Sequence, residues 1–310
     1  MRARLFRAGL VAVAMLLLLT PTAQARVIDG GSASCVTHSG RVASPRDATA
    51  RDVVRLSGAD RLTRWIAHHP RSAGRAAARV TSGAPITVEV AFHVIRKDLT
   101  PDGGNVPLSQ IKDQMKVLNA SYGGATGGAR TGFTFDLLSV DRTTSAQWFH
   151  MTGNGKDKAM KTALKVGGPE TLNIYSTDLG NTLLGYAYLA QDAAAVGVLD
   201  GVVIHYGSLP GGPFGAHYSQ GDTATHEVGH WFNLLHTFQG GCTDPGDFID
   251  DTPAEASPAF QCPVGRDTCP AAGLDPIRNF MDYTYDSCMN EFTPDQAARM
   301  QQAWAAYRAP

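Results

Sequence analysis

Alternating apolar and polar positions outline the first element of the chain. Ile86-Thr87-Val88-Glu89-Val90-Ala91-Phe92-His93-Val94-Ile95 is β-branched and alternates, which predicts a strand. Ile111, Met115, Leu118 and Tyr122 recur at helical spacing, so a helix opens at Pro107-Leu108-Ser109, with Ser109 and Gln110 in its first turn. Phe133, Phe135 and Leu137 alternate again and predict a second strand. A helix carrying Met160, Ala163 and Leu164 ends near Gly167-Gly168. Short apolar runs at Leu172–Tyr175, Leu184–Leu189 and Gly201–Tyr206 predict three more strands. This order, followed by one further helix, makes an α/β layer of about 140 residues, long enough to enclose a core.

Past His236 the periodicity fades and Gly, Pro, Asp and Cys prevail. Disulfides are expected to substitute for a core there. The last element is a helix. Thr293-Pro294-Asp295-Gln296 supplies an N-cap, a proline at the first position and a capping-box partner, and Met300, Trp304 and Tyr307 form the buried stripe.

The front of the chain has a different character. Arg2, Arg4 and Arg7 precede an apolar run from Ala8 to Leu19, and small residues flank a cut after Ala25. This is a secretory signal pattern, so residues 1–25 are expected to be removed and the product secreted and extracellular. No later stretch is long and apolar enough to span a membrane, and no membrane partner is expected. Between Arg26 and Val80 ten Arg stand against four Asp, with no Lys, while Thr81 to Pro310 carries 14 basic and 24 acidic residues. A basic segment next to an acidic body reads as a docked, cleavable pro-segment, residues 26–80, cut near residues 75–85. Its lack of aromatics other than Trp65 argues against a nucleic-acid partner. Apart from one helix around Leu62, Trp65 and Ile66, it reads as weakly structured.

The helix that follows Gly201–Tyr206 carries the chemistry. His226 and His230 are four apart and share one helical face, where two imidazoles can reach one zinc ion. Glu227 lies beside them, placed as a general base rather than a ligand. Asp222 and Thr223 offer an N-cap. A third ligand is needed with the fourth position open. His236 is six beyond His230, and a continuous helix would rotate it away, so the chain must turn between them. Glycine usually allows such a turn; here Asn233 stands at that place, the next-best residue in the left-handed region. Glu255 is the one nearby carboxylate for a thermolysin-type third ligand, and it sits in a proline-rich loop, so His236 is preferred. A secreted adhesion or binding module with structural zinc is the rival from another class. Glu227 argues against it, because a closed structural site has no use for a general base.

His226-Glu227-Val228-Gly229-His230-Trp231-Phe232-Asn233-Leu234-Leu235-His236, followed by Thr237-Phe238-Gln239-Gly240-Gly241-Cys242, resembles the metzincin metalloproteases, and within them the pappalysin (Peptidase M43) branch. The likeness runs from Asp200 to the last helix and more loosely back to Ile86. It implies a metzincin-like α/β (α+β) fold: a twisted mixed sheet with helices above the zinc-binding helix in an N-terminal catalytic subdomain, residues 81–236. A disulfide-rich irregular C-terminal subdomain, residues 237–310, ends in a helix. It implies a zinc-dependent endopeptidase acting on proteins or peptides. Met281 in Asn279-Phe280-Met281-Asp282-Tyr283 resembles the methionine turn under the metal, and Tyr283 resembles the family tyrosine that steadies the oxyanion. Gly201–Tyr206 would be the sheet edge to which a peptide adds.

The same resemblance implies pairs Cys242–Cys269 and Cys262–Cys288, which the residues alone leave open among three pairings. It also implies calcium on Asp247, Asp250 and Thr252, within an oxygen-rich loop that suits a hard cation. Asp286 would lie in the S1′ wall and favour Lys or Arg after the scissile bond. Cys35, the remaining cysteine, lies in the basic front, where a thiolate can occupy the open zinc position and hold the enzyme latent.

Overall fold

The computed structural model describes residues 61–151, 156–180 and 183–310. The signal segment, Cys35 and most of the basic front therefore lie outside the described residues.

The chain begins with two helices, α1 (Arg61–His68) and α2 (Pro70–Ser82). They lead into the long strand β1 (Ile86–Arg96), then α3 (Leu108–Tyr122), β2 (Phe133–Thr144), α4 (Lys156–Leu164) and β3 (Leu172–Thr177). A short strand β4 (Gly185–Ala187) precedes β5 (Val202–His205), which feeds α5 (Asp222–Trp231), the helix that carries His226 and His230. After it come β6 (Phe260–Gln261), β7 (Tyr283–Thr284) and α6 (Pro294–Ala303). The α6 N-terminus has the full capping box: Thr293 Oγ1 accepts from Gln296 N–H, and the Gln296 side chain accepts from Thr293 N–H.

One five-stranded sheet is ordered β2-β1-β3-β5-β4. Its first four strands are parallel, with Val90 opposite Leu172 and Ile174 opposite Val202, while β4 runs antiparallel to β5, Tyr186 opposite Val203. The period of two distributes side chains to two cores. Val88, Val90, Phe92 and Val94 of β1, with Ile174, Val202 and Ile204, face the layer of α3 and α5 and pack with Ile111, Leu118, Tyr122, Val228 and Phe232. On the opposite face Tyr175, Val203 and Tyr186 pack with Phe149 and Met160. A buried ion pair ties the C-terminus to the entry of β5: Arg308 grips Asp200 with two hydrogen bonds, 2.7 and 3.0 Å, and lies over the Trp231 ring.

Two expectations are corrected. Gly201–Tyr206 is not the sheet edge: β5 is interior, and β4 lies outside it. Three residues of β4 show no extended alternation of their own, so strand order was hidden. The weakly structured front is also only part of the story. Residues 61–82 form two consecutive helices packed on α6, with Leu62 fully buried among Ala190 and Ala303.

Candidate active site

The site is built on α5, every residue of which is buried. Gly221, with φ 99°, occupies the N-cap, and Asp222 falls in the first turn rather than capping it. The helix is fixed by its neighbour α3: Tyr122 Oη donates to the Thr225 carbonyl at 3.0 Å, and Gln114 Nε2 donates to the Gly221 carbonyl at 2.9 Å. At its other end the Phe232 N–H returns to Val228 O, and Asn233 takes φ 74°. This left-handed residue reverses the rotation that would carry His236 away. Leu234 N–H then bonds back to Gly229 O.

Three imidazoles meet as a result. His230 Nε2 is 3.1 Å from His226 Nε2 and 3.1 Å from His236 Nε2. The opposite ring nitrogens decide the tautomers. His226 Nδ1 is 2.6 Å from the Phe280 carbonyl and His230 Nδ1 is 2.8 Å from the Leu234 carbonyl, and a carbonyl oxygen only accepts. Both Nδ1 atoms are therefore donors, and the Nε2 lone pairs of the neutral rings point towards one another. Two lone pairs at 3.1 Å cannot hydrogen-bond to each other; they need a cation between them. Burial pushes the His230 pKa down to about 4 and, with the neighbouring His230, pushes His236 well below its usual value, so both stay neutral at neutral pH. Tetrahedral nitrogen ligands on zinc stand about 3.3 Å apart, close to the spacing found. The three histidines are the one group of this kind among the described residues.

Glu227 is fully buried next to this triad. The edge strand β4 runs directly over it: a Cβ on Gly185 would lie 2.8 Å from Glu227 Cγ and 2.9 Å from Oε1. Met281 lies beneath. A Cβ on Gly229 would collide with the Met281 sulfur, so the only glycine of α5 is the seat of that methionine. Tyr283 Oη is 3.2 Å from His236 Nε2, and Phe238 stacks on the His236 ring at 4.6 Å.

The C-terminal subdomain holds these pieces. Cys242–Cys269 and Cys262–Cys288 are bonded, with Cα separations of 5.4 and 5.6 Å. Thr237, next to His236, donates to buried Glu255 at 2.6 Å, and Arg266 binds the other carboxylate oxygen at 2.8 Å. Glu255 thus steadies the chain beside the third histidine. Burial, with Asp282 nearby, pushes its pKa up to about 8. Sequence reasoning missed Glu255 in this role, as it missed Gly185 and Phe238; no local spacing signals any of them.

Other candidate residues are more dispersed. Thr252 Oγ1 donates to Asp247, whose carboxylate also accepts from Ile249 N–H, while Asp250 is exposed. Burial pushes Asp247 up to about 7. Asp286 is buried and accepts from Gln220 N–H at 2.8 Å, and its own N–H donates to the His217 carbonyl. His217 stacks on Tyr285 at 4.0 Å. These contacts join the loop before α5 to the loop after Met281.

Known proteins share this arrangement. The family profile Peptidase M43, described as pregnancy-associated plasma protein-A, matches residues 215–305. The chain is 45% identical over 230 residues to extracellular metalloprotease 1 of Coccidioides posadasii, covering 73% of this chain and 79% of that one. It belongs to the pappalysin family of metalloproteases. A second relative, an extracellular metalloprotease of Sordaria macrospora, is 44% identical over 253 residues, or 80% of this chain and 85% of the relative. Mature mirolysin of Tannerella forsythia in complex with a cleaved peptide is 29% identical with a TM-score of 0.61, covering 74% of this chain and 100% of that chain. A promirolysin mutant from the same organism is 28% identical with a TM-score of 0.66, covering 82% and 91%. The protein is thus an extracellular zinc metalloprotease, and the histidine triad is its zinc site.

The seating of Met281 is open to test. In an ordinary helix Gly→Ala stabilises, but Gly229→Ala should cost about 1–3 kcal/mol by overpacking against Met281. Denaturant unfolding of the purified variant checks it, and an unchanged or raised midpoint would contradict the close approach.

Proposed function

We propose that this pappalysin is an endopeptidase in which Glu227 is the general base of peptide hydrolysis. The observation that carries the reading is the convergence of three imidazole Nε2 atoms beside one buried carboxylate. His226, His230 and His236 would hold zinc, which when bound would supply Lewis-acid activation of water near neutral pH. Glu227 takes the proton from the attacking water and returns it to the leaving amine. The Tyr283 hydroxyl donates to the oxyanion that develops on the former carbonyl. The substrate backbone aligns along β4, the outermost strand, which crosses over Glu227. Met281 forms the floor.

Three finer readings accompany this. Asp286, between the two loops that flank the cleft, favours a basic residue after the scissile bond. The basic front is a pro-segment that Cys35 keeps latent by occupying the open metal position. Asp247, Asp250 and Thr252 form a calcium loop, supported by the buried, already clustered Asp247 and Thr252.

Glu227→Gln should lower kcat by about 10²–10⁴-fold while zinc content stays at the wild-type level. Chelator should abolish activity and zinc should restore it; a further requirement for calcium would support the calcium loop. Wild-type turnover by Glu227→Gln would overturn the mechanism. For Asp286→Asn, a peptide library should show about a ten-fold or larger loss of kcat/KM confined to substrates with Lys or Arg after the cut. A cleavage profile without basic preference removes that role. Cys35→Ala should release activity from the uncleaved precursor, whereas a variant as latent as wild type rules out the thiolate switch.

A further inference from the structure

The turn at Asn233 is tied to the front of the chain. Asn233 is fully buried, and its side-chain Oδ1 accepts from the Gln191 N–H at 2.9 Å. Gln191 is itself the landing point of α1: its carbonyl accepts from Arg61 at 3.2 Å and its side-chain Oε1 from the Leu62 N–H at 3.4 Å. Arg61 also pairs with Asp192 at 3.1 Å. Leu62 is fully buried, with Ala190 and Ala303 around it and Trp65, Ile66, Ala306 and Tyr307 closing the patch. The second helix, α2, lies along α6 with Ala73 and Ala76 buried. From the other side α6 reaches the same turn, as Arg299 Nε donates to the Asn233 carbonyl at 3.2 Å.

A glycine would take φ 74° without help. An asparagine does so at a conformational cost, and here its amide oxygen is anchored to Gln191. The anchor lies under the two helices, whose link to β1, Gly83-Ala84-Pro85, is exposed. A cut in that link would leave Gln191 covered only by a non-covalently held piece that carries Leu62.

We propose that residues 61–82 belong to the working enzyme as a brace: docked on Gln191, they hold the Asn233 turn that delivers His236 to the other two histidines. The removable part of the basic front then ends before Arg61. This rests on His236 being a metal ligand. Gln191 and Leu62 are positioning residues and touch neither metal nor substrate.

The test uses the full-length chain, matured and zinc-loaded. Leu62→Asp undocks α1 and should speed zinc release to a colorimetric chelator about ten-fold, the scale of lost outer-shell support. Adding Asn233→Gly, which needs no anchor, should bring the release rate back to within about two-fold of wild type, because glycine holds the turn unaided. Zinc release from Leu62→Asp at the wild-type rate overturns the brace. N-terminal sequencing of the active secreted enzyme gives a measurement independent of how the variants fold. It should begin at or before Arg61, and a fully active enzyme beginning beyond Ser82 overturns the proposal. A His236→Ala control separates the two claims: if it retains zinc as wild type does, the ligand assignment fails, whatever Leu62→Asp does.

Discussion

Two imidazole nitrogen lone pairs 3.1 Å apart are the constraint on which the rest of the structure depends. The backbone enforces their approach: Phe280 O and Leu234 O take the Nδ1 protons of His226 and His230, which fixes both tautomers and turns both Nε2 atoms inward. Those carbonyls come from the methionine turn and from the chain just past Asn233. The same residues that place Met281 and His236 thus also set the protonation of the other two ligands. A buried triad of this kind is costly without its metal, and burial that keeps the rings neutral also keeps them ready to bind it.

Around that point the two subdomains divide the work. The sheet and α3 fix the start of α5 through Tyr122 and Gln114, and β4 is laid over Glu227 at Gly185. The C-terminal part has few regular elements. It holds its loops with two disulfides and with the buried Thr237–Glu255–Arg266 chain, which reaches the residue next to His236. The chain before His236 positions the base and the chain after it steadies the third ligand, so the site needs both.

Much of this was legible in the sequence, for physical reasons. The alternation of β1 and the helical spacing of Ile111 to Tyr122 reflect a single buried face, and such faces leave a period. The spacing of His226, Glu227, His230 and His236 encodes a helix followed by a turn, and Asn233 was the residue able to make it. Strand order was not legible, because β4 is three residues long and its antiparallel return to the edge leaves no local pattern. In residues 61–82 only the first helix was legible, from Leu62, Trp65 and Ile66; the second is rich in Ala and Arg and buries small side chains rather than a clear apolar stripe. Glu255, read as a weak alternative ligand, works through Thr237, a contact between residues 18 apart that no spacing rule anticipates.

The central claim is that His226, His230 and His236 bind one catalytic zinc through Nε2. X-ray absorption at the zinc edge on the mature enzyme, with metal content measured on the same sample, tests it most directly. The account predicts one zinc per chain with three imidazole nitrogens at about 2.0–2.1 Å and a light-atom fourth ligand. An enzyme that is active without zinc, or whose zinc has fewer than three imidazole ligands, would contradict it.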